Sequence, residues 1–144
     1  MQGEYRLGVV LDMPFDHAVE RVTEALRDQL LILFSDADLA VFTPGRLDRE
    51  TTPCRLLGVC NPLMVQRVLE AEPSIGALLP WRVLVRMGEK RKVHVECMDP
   101  NVLLHWSDNK VVAELICETR QRLMHAMQAL SRGNKSASHQ GGNF

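Results

Sequence analysis

The residues of this chain best suited to chemistry lie in one stretch, GVCNPLMVQRVLEAEPSIGALLPWRV, which runs from residue 58 to residue 83. Within it, Cys60 directly precedes Asn61 and Pro62, a strong helix-capping residue and a favoured first residue of a helix. A thiol at the N-terminus of a helix lies near the positive end of the helix dipole, which favours the nucleophilic thiolate. Two interpretations of Cys60 are therefore open: a strand-to-helix junction without a chemical role, or a reactive or ligand-contacting thiol.

Other acidic, histidine and cysteine side chains offer weaker possibilities. Asp36 and Asp38 are spaced to act as a general acid and base, and helix capping is the alternative explanation for both. His94 and Glu96 share one face of a predicted strand while Cys97 points to the other, so the three do not converge on one metal ion. The sequence has no GxSxG, GxGxxG or phosphate-loop motif. We therefore predict neither a metal site nor a cofactor.

Composition and charge narrow the classes of partner. A hydrophobic content of 46% with 24% charged residues is typical of a soluble globular protein, and 144 residues suffice for one domain. The net charge of -1 and the aromatic content of 5% argue against nucleic-acid binding. The N-terminus lacks signal-peptide features, and no window reaches the roughly 18 consecutive apolar residues of a membrane span. Together with four widely spaced cysteines, these features predict a cytoplasmic protein without membrane association.

The elements that must position these residues follow from hydrophobic periodicity. The pattern predicts strands at residues 5–13, 31–34 and 54–60, a helix at 15–30 capped by Asp16, a helix at 62–71, a hairpin at 81–86 and 92–97, and a long final helix with an apolar stripe from Val112 to Leu130. Strands joined partly by a hairpin and partly by helices indicate an α+β fold with a mainly antiparallel sheet. We predict one domain over residues 1–131, with helices packed on one face of the sheet, and a flexible tail over residues 132–144.

The same pattern assigns faces to the side chains. The sheet face away from the helices is predicted to be either solvated or the contact surface of a partner, and it carries Arg82, Arg86, Lys92, His94 and Glu96. Cys97 and Cys117 are predicted to lie on the core faces of their elements, where free cysteines behave as small hydrophobic residues.

The chain resembles the family known as "domain of unknown function 302". The resemblance covers residues 5–104 and rests on the helix-then-aspartate segment through Asp38, on LGVCNPLMVQRVLEAEPSIGALLPWRVLV, and on Asp99-Pro100. It implies a compact α+β domain similar to the TATA-binding-protein arrangement of strand, helix, four strands and helix. It also implies a homodimer.

Two positions depart from the pattern of that family. Trp81 stands where the family usually has a cysteine, and Val65 stands where it tends to have an alanine. The departure at Trp81 removes one of the two thiols that a dithiol or two-cysteine metal function requires.

Three functional hypotheses follow. The first is a dimeric protein without catalysis of its own that binds a small ligand or partner near a set of candidate residues: Asp38, Cys60, Asn61, Pro62, Leu79, Pro80 and Trp81. The second is a thiol-dependent enzyme, or a sulfur- or redox-handling protein, that uses Cys60 as its catalytic thiol. The third is a protein-interaction module that works through the sheet face or the final helix.

Overall fold

A computed structural model describes residues 5–42 and 52–142, with side chains described as far as residue 133. The five strands are β1 (Arg6–Leu11), β2 (Ile32–Asp38), β3 (Cys54–Cys60), β4 (Trp81–Met87) and β5 (Val93–Met98). The three α-helices are α1 (Phe15–Asp28), α2 (Pro62–Ala71) and α3 (Lys110–Gly142). Short 3₁₀ helices at Leu39–Phe42, Pro73–Leu78, Glu89–Arg91 and Pro100–His105 connect them.

The strands form one antiparallel sheet in the order β1-β5-β4-β3-β2. Apolar residues from one face of the sheet pack against α1 and α3 and form the main core. This arrangement confirms the predicted α+β class, the antiparallel sheet and the helices on one face. The alternation of apolar residues along β4 and β5 is the local cause, because it turns Val83, Val85, Val93 and Val95 towards the helices, where all four are fully buried.

Strand β2 is longer than the sequence pattern predicts. It continues through Asp36 to Asp38, past an irregular register between Leu33 and Ser35. Asp36 stays in the strand because its carboxylate pairs with the guanidinium of Arg55 on β3. The predicted capping role therefore belongs to Asp38 alone, whose Oδ1 accepts a hydrogen bond of 3.0 Å from the backbone N–H of Ala40.

The predicted cap of the first helix is wrong. Helix α1 begins at Phe15, one residue before Asp16, and its N-cap position is Pro14 without a side-chain hydrogen bond. Asp16 therefore lies in the first turn, where an acidic residue still interacts favourably with the helix dipole.

The predicted apolar stripe of α3 is confirmed from Val112 to Leu130, where every member is buried except the half-buried Thr119. Cys117 is exposed, so its predicted place on the core face is wrong. It lies two residues from both Leu115 and Thr119 of the stripe, and two residues of an α-helix turn the side chain by about 200°, which places it on the side opposite the buried face. The helix continues to Gly142, past the predicted end of the domain at residue 131; the domain boundary and the flexibility of the tail stay predictions.

The outer face of the sheet carries a compact ion-pair network. The carboxylate of Glu96 accepts hydrogen bonds from Arg6 Nη1 at 2.8 Å and from Arg86 Nε at 2.6 Å. Burial by itself raises the pKa of Glu96, but the hydrogen bond from Arg86 and the charges of Arg86, Arg6 and His94 outweigh it and lower the pKa below its ordinary value. Two of the charges predicted on this face, Arg86 and Glu96, are thus paired with each other.

Because the folded state lowers the pKa of Glu96, this carboxylate stabilises the fold above its ordinary pKa of 4.5, and the contribution is lost as the pH falls through the lower, folded pKa. We expect Glu96→Gln to reduce the free energy of unfolding at neutral pH by about 1 kcal/mol, since Arg6 and Arg86 lose a charged acceptor. Urea unfolding from pH 7 to about pH 3 measures this effect. The two proteins should converge in the acid range, and a difference that does not change with pH would contradict the assignment.

Candidate functional site

A cavity of about 60 Å³ lies where the end of β3, α2, the Pro73–Leu78 helix and α3 meet. Four of the predicted candidates line it: Cys60, Asn61, Leu79 and Trp81. The remaining lining is apolar except for Thr119, and it consists of Leu31, Val59, Met64, Val65, Val68, Ile75, Leu78, Leu103, Val112, Leu115 and Ile116. We call this space the α2–α3 cavity.

Asn61 begins α2 as the sequence predicts. Its Oδ1 accepts hydrogen bonds from the backbone N–H groups of Leu63, at 3.0 Å, and Met64, at 3.2 Å, and Pro62 takes the first helical position. The side chain is buried, and its oxygen is engaged in capping. The presence of Asn61 at the cavity therefore has a complete structural explanation.

Removal of this cap tests the structural role of Asn61. Asn61→Ala is expected to reduce the free energy of unfolding by about 1 kcal/mol, because the N–H groups of Leu63 and Met64 lose their acceptor. Asn61→Ser is the matched control, since serine also caps helices and should retain most of the stability. Chemical denaturation of both variants measures the difference, and equal stability of the two would show that the cap contributes little.

Cys60 is the last residue of β3, half-buried, and lies beside the cavity. The other thiols have different surroundings. Burial, with a smaller contribution from the nearby Asp99 charge, raises the pKa of Cys97 to about 12, so this thiol stays protonated at neutral pH. Burial also raises the pKa of Cys54, while Cys117 is exposed. Cys60 is therefore the half-buried thiol that borders the α2–α3 cavity, and its reactivity stays a prediction.

Leu79 and Pro80 directly precede β4, Trp81 is its first residue, and the three divide between two spaces. Leu79 and Trp81 line the α2–α3 cavity, whereas Pro80 lines a neighbouring cavity of about 160 Å³ that also touches Trp81. The ring of Pro80 covers Gly58 of β3: a Cβ atom added to Gly58 would lie 2.7 Å from Pro80 Cγ. Pro80 thus has a packing role at a point where the neighbouring side chains leave no room for a Cβ atom.

Trp81 contributes an unusual polar atom to this region. Its indole Nε1 is buried and has no hydrogen-bond partner in the described part of the chain. Buried indole N–H groups usually find an acceptor, so this donor is an exception to ordinary core packing.

Asp38 lies apart from the other candidates. It pairs with Arg55 in the register of β2 and β3, while Cys60 pairs with Ile32 at the opposite end of the same two strands. Five residues of strand separate Arg55 from Cys60, which places the two positions roughly 17 Å apart. Asp38 instead lines a cleft of about 850 Å³ together with Asp16, Cys54 and Arg55. The residues predicted to form one site therefore lie in separate places, and only the place at Cys60 contains residues of the stretch from residue 58 to residue 83.

The cavity also contains residues that sequence reasoning assigned only to packing. Leu115, Ile116 and Thr119 belong to the apolar stripe of α3 and form the wall opposite α2. Thr119 Oγ1 donates a hydrogen bond of 2.8 Å to the carbonyl of Leu115. The one sequence signal for this wall was Thr119 itself, the single polar residue within an otherwise apolar stripe.

Neither a metal-binding cluster nor a membrane-spanning helix is present in the described part of the chain. Within residues 5–42 and 52–142, no three His, Cys, Asp or Glu side chains come together as a metal-binding group. The described helices include none with the length and apolarity needed to cross a bilayer.

Comparison with known proteins supplies a family and a fold. The sequence model of a family described as "Domain of unknown function DUF302" matches residues 7–130. The structure is similar to the crystal structure of an uncharacterised conserved DUF302 protein from Bacillus stearothermophilus, with a TM-score of 0.76 and 20% sequence identity, covering 88% of this chain and 98% of that one. No curated protein matches the chain. At this identity the structural likeness concerns the fold alone.

Proposed function

The chain belongs to the DUF302 family, a domain of unknown function, and on that premise we propose that it binds a small molecule in the α2–α3 cavity without catalysing its conversion. The observation that carries the proposal is the α2–α3 cavity itself, an apolar space bordered by Cys60, Asn61 and Trp81. Apolar pockets with a few placed polar groups are the usual form of ligand sites.

The size of the cavity sets a condition on binding. Its volume of about 60 Å³ is smaller than the roughly 150 Å³ that accommodates benzene in an engineered cavity of another protein. A ligand of more than a few atoms must therefore displace part of the lining. Met64 of α2 lines the cavity, and its side chain is the part of the lining best able to move. Methionine has three rotatable bonds and no branch point, so it adapts to irregular spaces.

Val65 offers a direct test of the proposal. It is half-buried on α2 and lines the cavity, so Val65→Ala should enlarge the space and Val65→Leu should fill it, with small costs in stability. In a thermal-shift screen of small neutral organic molecules, we expect hits whose shifts grow with alanine and shrink with leucine. Hits that respond equally to both variants bind elsewhere, and a broad panel without any hit would count against the proposal.

The rival proposal, a thiol-dependent enzyme or a sulfur- or redox-handling protein, depends on Cys60. Alkylation by N-ethylmaleimide between about pH 6 and pH 9, followed by peptide mapping, compares Cys60 with the exposed Cys117 in one experiment. The rival requires Cys60 to react at a lower pH than Cys117, and Cys117→Ser isolates the Cys60 signal. Slower reaction at Cys60 than at Cys117 removes the basis for thiol catalysis. The four unpaired cysteines also suit a reducing compartment, and we place the protein in the cytoplasm on this ground.

A second proposal, the homodimer, is supported by the exposed edge of the sheet. Every residue of β2 is exposed, Phe34 is 70% exposed, and β3 is the one strand that pairs with β2 in the described chain. A two-fold partner placed antiparallel along β2 brings the apolar Ile32–Phe34 segment against its own copy and moves Asp36 and Asp38 to opposite ends. This self-complementarity favours a second copy of the chain over an unrelated partner.

Light scattering coupled to size exclusion tests the dimer. Phe34→Glu should convert a dimer to a monomer, because like charges then meet at the centre of the interface. Leu63→Glu is the matched control, since Leu63 is 71% exposed on α2 and lies outside the edge. A wild-type monomer at all concentrations, or a dimer that survives Phe34→Glu, would refute this interface.

A further inference from the structure

The cavity of about 160 Å³ beside the start of β4 is open to solvent and has an unusual lining. Two large apolar side chains of this lining are left exposed by the fold: Trp106 at 65% and Met98 at 52%. Arg82 is the one charged residue of the lining. Single exposed apolar residues are ordinary on a protein surface, but two that line one cavity indicate a binding surface. We call this space the Trp106 groove.

The positive charge of Arg82 is not neutralised within the described chain. Arg82 is exposed, and none of the ion pairs among the described residues includes it. The two carboxylates that flank Met98 in sequence are engaged elsewhere, Glu96 with two arginines of the outer sheet face and Asp99 with Nε of Arg120 at 2.9 Å. Because no ion pair holds it, the guanidinium can turn to a ligand in the groove. Its complement is a carboxylate, which it binds through two parallel N–H···O bonds.

The size of the Trp106 groove limits the apolar part of such a ligand. A cavity of roughly 150 Å³ in another protein holds one benzene ring, and the groove is of similar volume. An aromatic ring suits the two exposed side chains, because aromatic rings interact favourably with an indole and with a thioether sulfur. A cationic ligand is disfavoured, since it would meet the like charge of Arg82.

We propose that the Trp106 groove binds a small aromatic carboxylic acid, with its ring against Trp106 and Met98 and its carboxylate paired with the guanidinium of Arg82. The carboxylate stays at the solvent-exposed side of the groove and keeps part of its hydration, so the ion pair forms without the cost of full burial. This inference goes beyond the proposed function, because it assigns a second ligand site whose lining contains neither Cys60 nor Val65.

Three probes isolate the contribution of charge. Phenylacetate and phenylacetamide have the same shape and differ in charge, and phenethylamine places a cation on the same ring. Titration is followed by the indole N–H signal of Trp106 in ¹H–¹⁵N spectra; the chain has two tryptophans, and Trp106→Phe identifies this signal by removing it. At low salt, phenylacetate should bind roughly three- to tenfold more tightly than phenylacetamide, and phenethylamine should bind most weakly. The preference for the acid should decrease as salt is added.

Two arginine variants locate the charge. Arg82→Gln should abolish the preference for phenylacetate and leave the affinity for phenylacetamide nearly unchanged. Arg91→Gln is the matched control, because it removes the same charge from an exposed arginine in the turn after β4, outside the groove. Both arginines are exposed, so both variants should fold.

Trp106→Ala tests the apolar half of the site. It should weaken phenylacetate and phenylacetamide by a similar factor, roughly three- to tenfold, because both probes lose the same ring contact. The backbone N–H signal of Met98 supplies the readout in this variant. A loss confined to one of the two probes would contradict the placement of the ring.

The possible failures are distinguishable. The inference is overturned by binding of none of the probes, by equal affinity for acid and amide, or by an acid preference that survives Arg82→Gln or that Arg91→Gln removes equally. Phenylacetate binding that Val65→Leu weakens lies in the α2–α3 cavity, which overturns this inference and supports the proposed function. A short peptide ending in phenylalanine presents the same groups on a chain; if it binds roughly tenfold more tightly than phenylacetate, the groove recognises a protein C-terminus and the inference of a small acid is wrong.

Discussion

Leu115→Ala should lower the free energy of unfolding by about 2–5 kcal/mol, the largest effect we expect of any single change discussed. Leu115 is 2% exposed and packs with Met64 and Val68, so it joins α3 to α2. Truncation removes its transfer free energy and leaves a void beside an existing cavity, where the helices on both sides are held by other contacts and collapse only in part.

The same variant should acquire affinity for benzene. The void of Leu115→Ala merges with the 60 Å³ of the α2–α3 cavity and approaches the size that holds benzene in an engineered apolar cavity. Benzene should therefore raise the melting temperature of Leu115→Ala and leave that of the wild type nearly unchanged. Thermal unfolding with and without benzene measures both effects.

Leu69→Ala on α2 is the control for Leu115→Ala. Leu69 is 46% exposed, so its truncation should cost less than about 1 kcal/mol and create no binding space. If Leu115→Ala lowers the free energy of unfolding by less than about 1 kcal/mol, α2 and α3 are not packed through this residue.

Gly58→Ala should have the next largest effect, a loss of about 1–3 kcal/mol in the free energy of unfolding. A Cβ atom at this position would collide with Ser35 Oγ and would lie 2.7 Å from Cγ of Pro80. The serine hydroxyl can rotate away, but the proline ring is rigid, so the backbone of β3 or β4 must move. Because β3 ends at Cys60 and β4 begins at Trp81, this movement should also disturb the cavity.

Gly76→Ala provides the matched control. Its Cβ atom would meet only Cδ2 of Leu69, the mobile end of a largely exposed side chain that can move into solvent. We therefore expect a change of no more than about 0.5 kcal/mol in urea unfolding. Equal losses for the two glycine variants would contradict the role of the Pro80 ring.

The elements near the candidate site were predictable because their causes are local. Asn61 followed by Pro62 specifies a helix start through hydrogen bonds within three residues, and the structure has this cap at this position. The apolar stripe of α3 and the alternation of apolar residues along β4 and β5 are likewise local, because each follows from the geometry of a single helix or strand. The resemblance to the family was carried by the same stretch, and the match over residues 7–130 confirms it.

One failure came from an interaction between two strands. The carboxylate of Asp36 in β2 pairs with the side chain of Arg55, which lies opposite Asp38 on β3, and the spacing of these residues in sequence does not reveal that pairing. Cys117 was misplaced for a different reason: it lies two residues from both Leu115 and Thr119 of the stripe, and two residues of an α-helix turn a side chain by about 200°, to the opposite side of the helix.

By itself, the sequence of this protein determined its α+β class, the helix start at Asn61, the stripe of α3 and the family. Those features arise from periodicity and from contacts within a few residues. Only the tertiary structure decided that Asp38 lies at the opposite end of β3 from Cys60, that α3 closes the cavity, and that the N–H of Trp81 is buried without a partner among the described residues. The reason is physical: strand register and helix packing set these distances, and both depend on residues that are far apart in the chain.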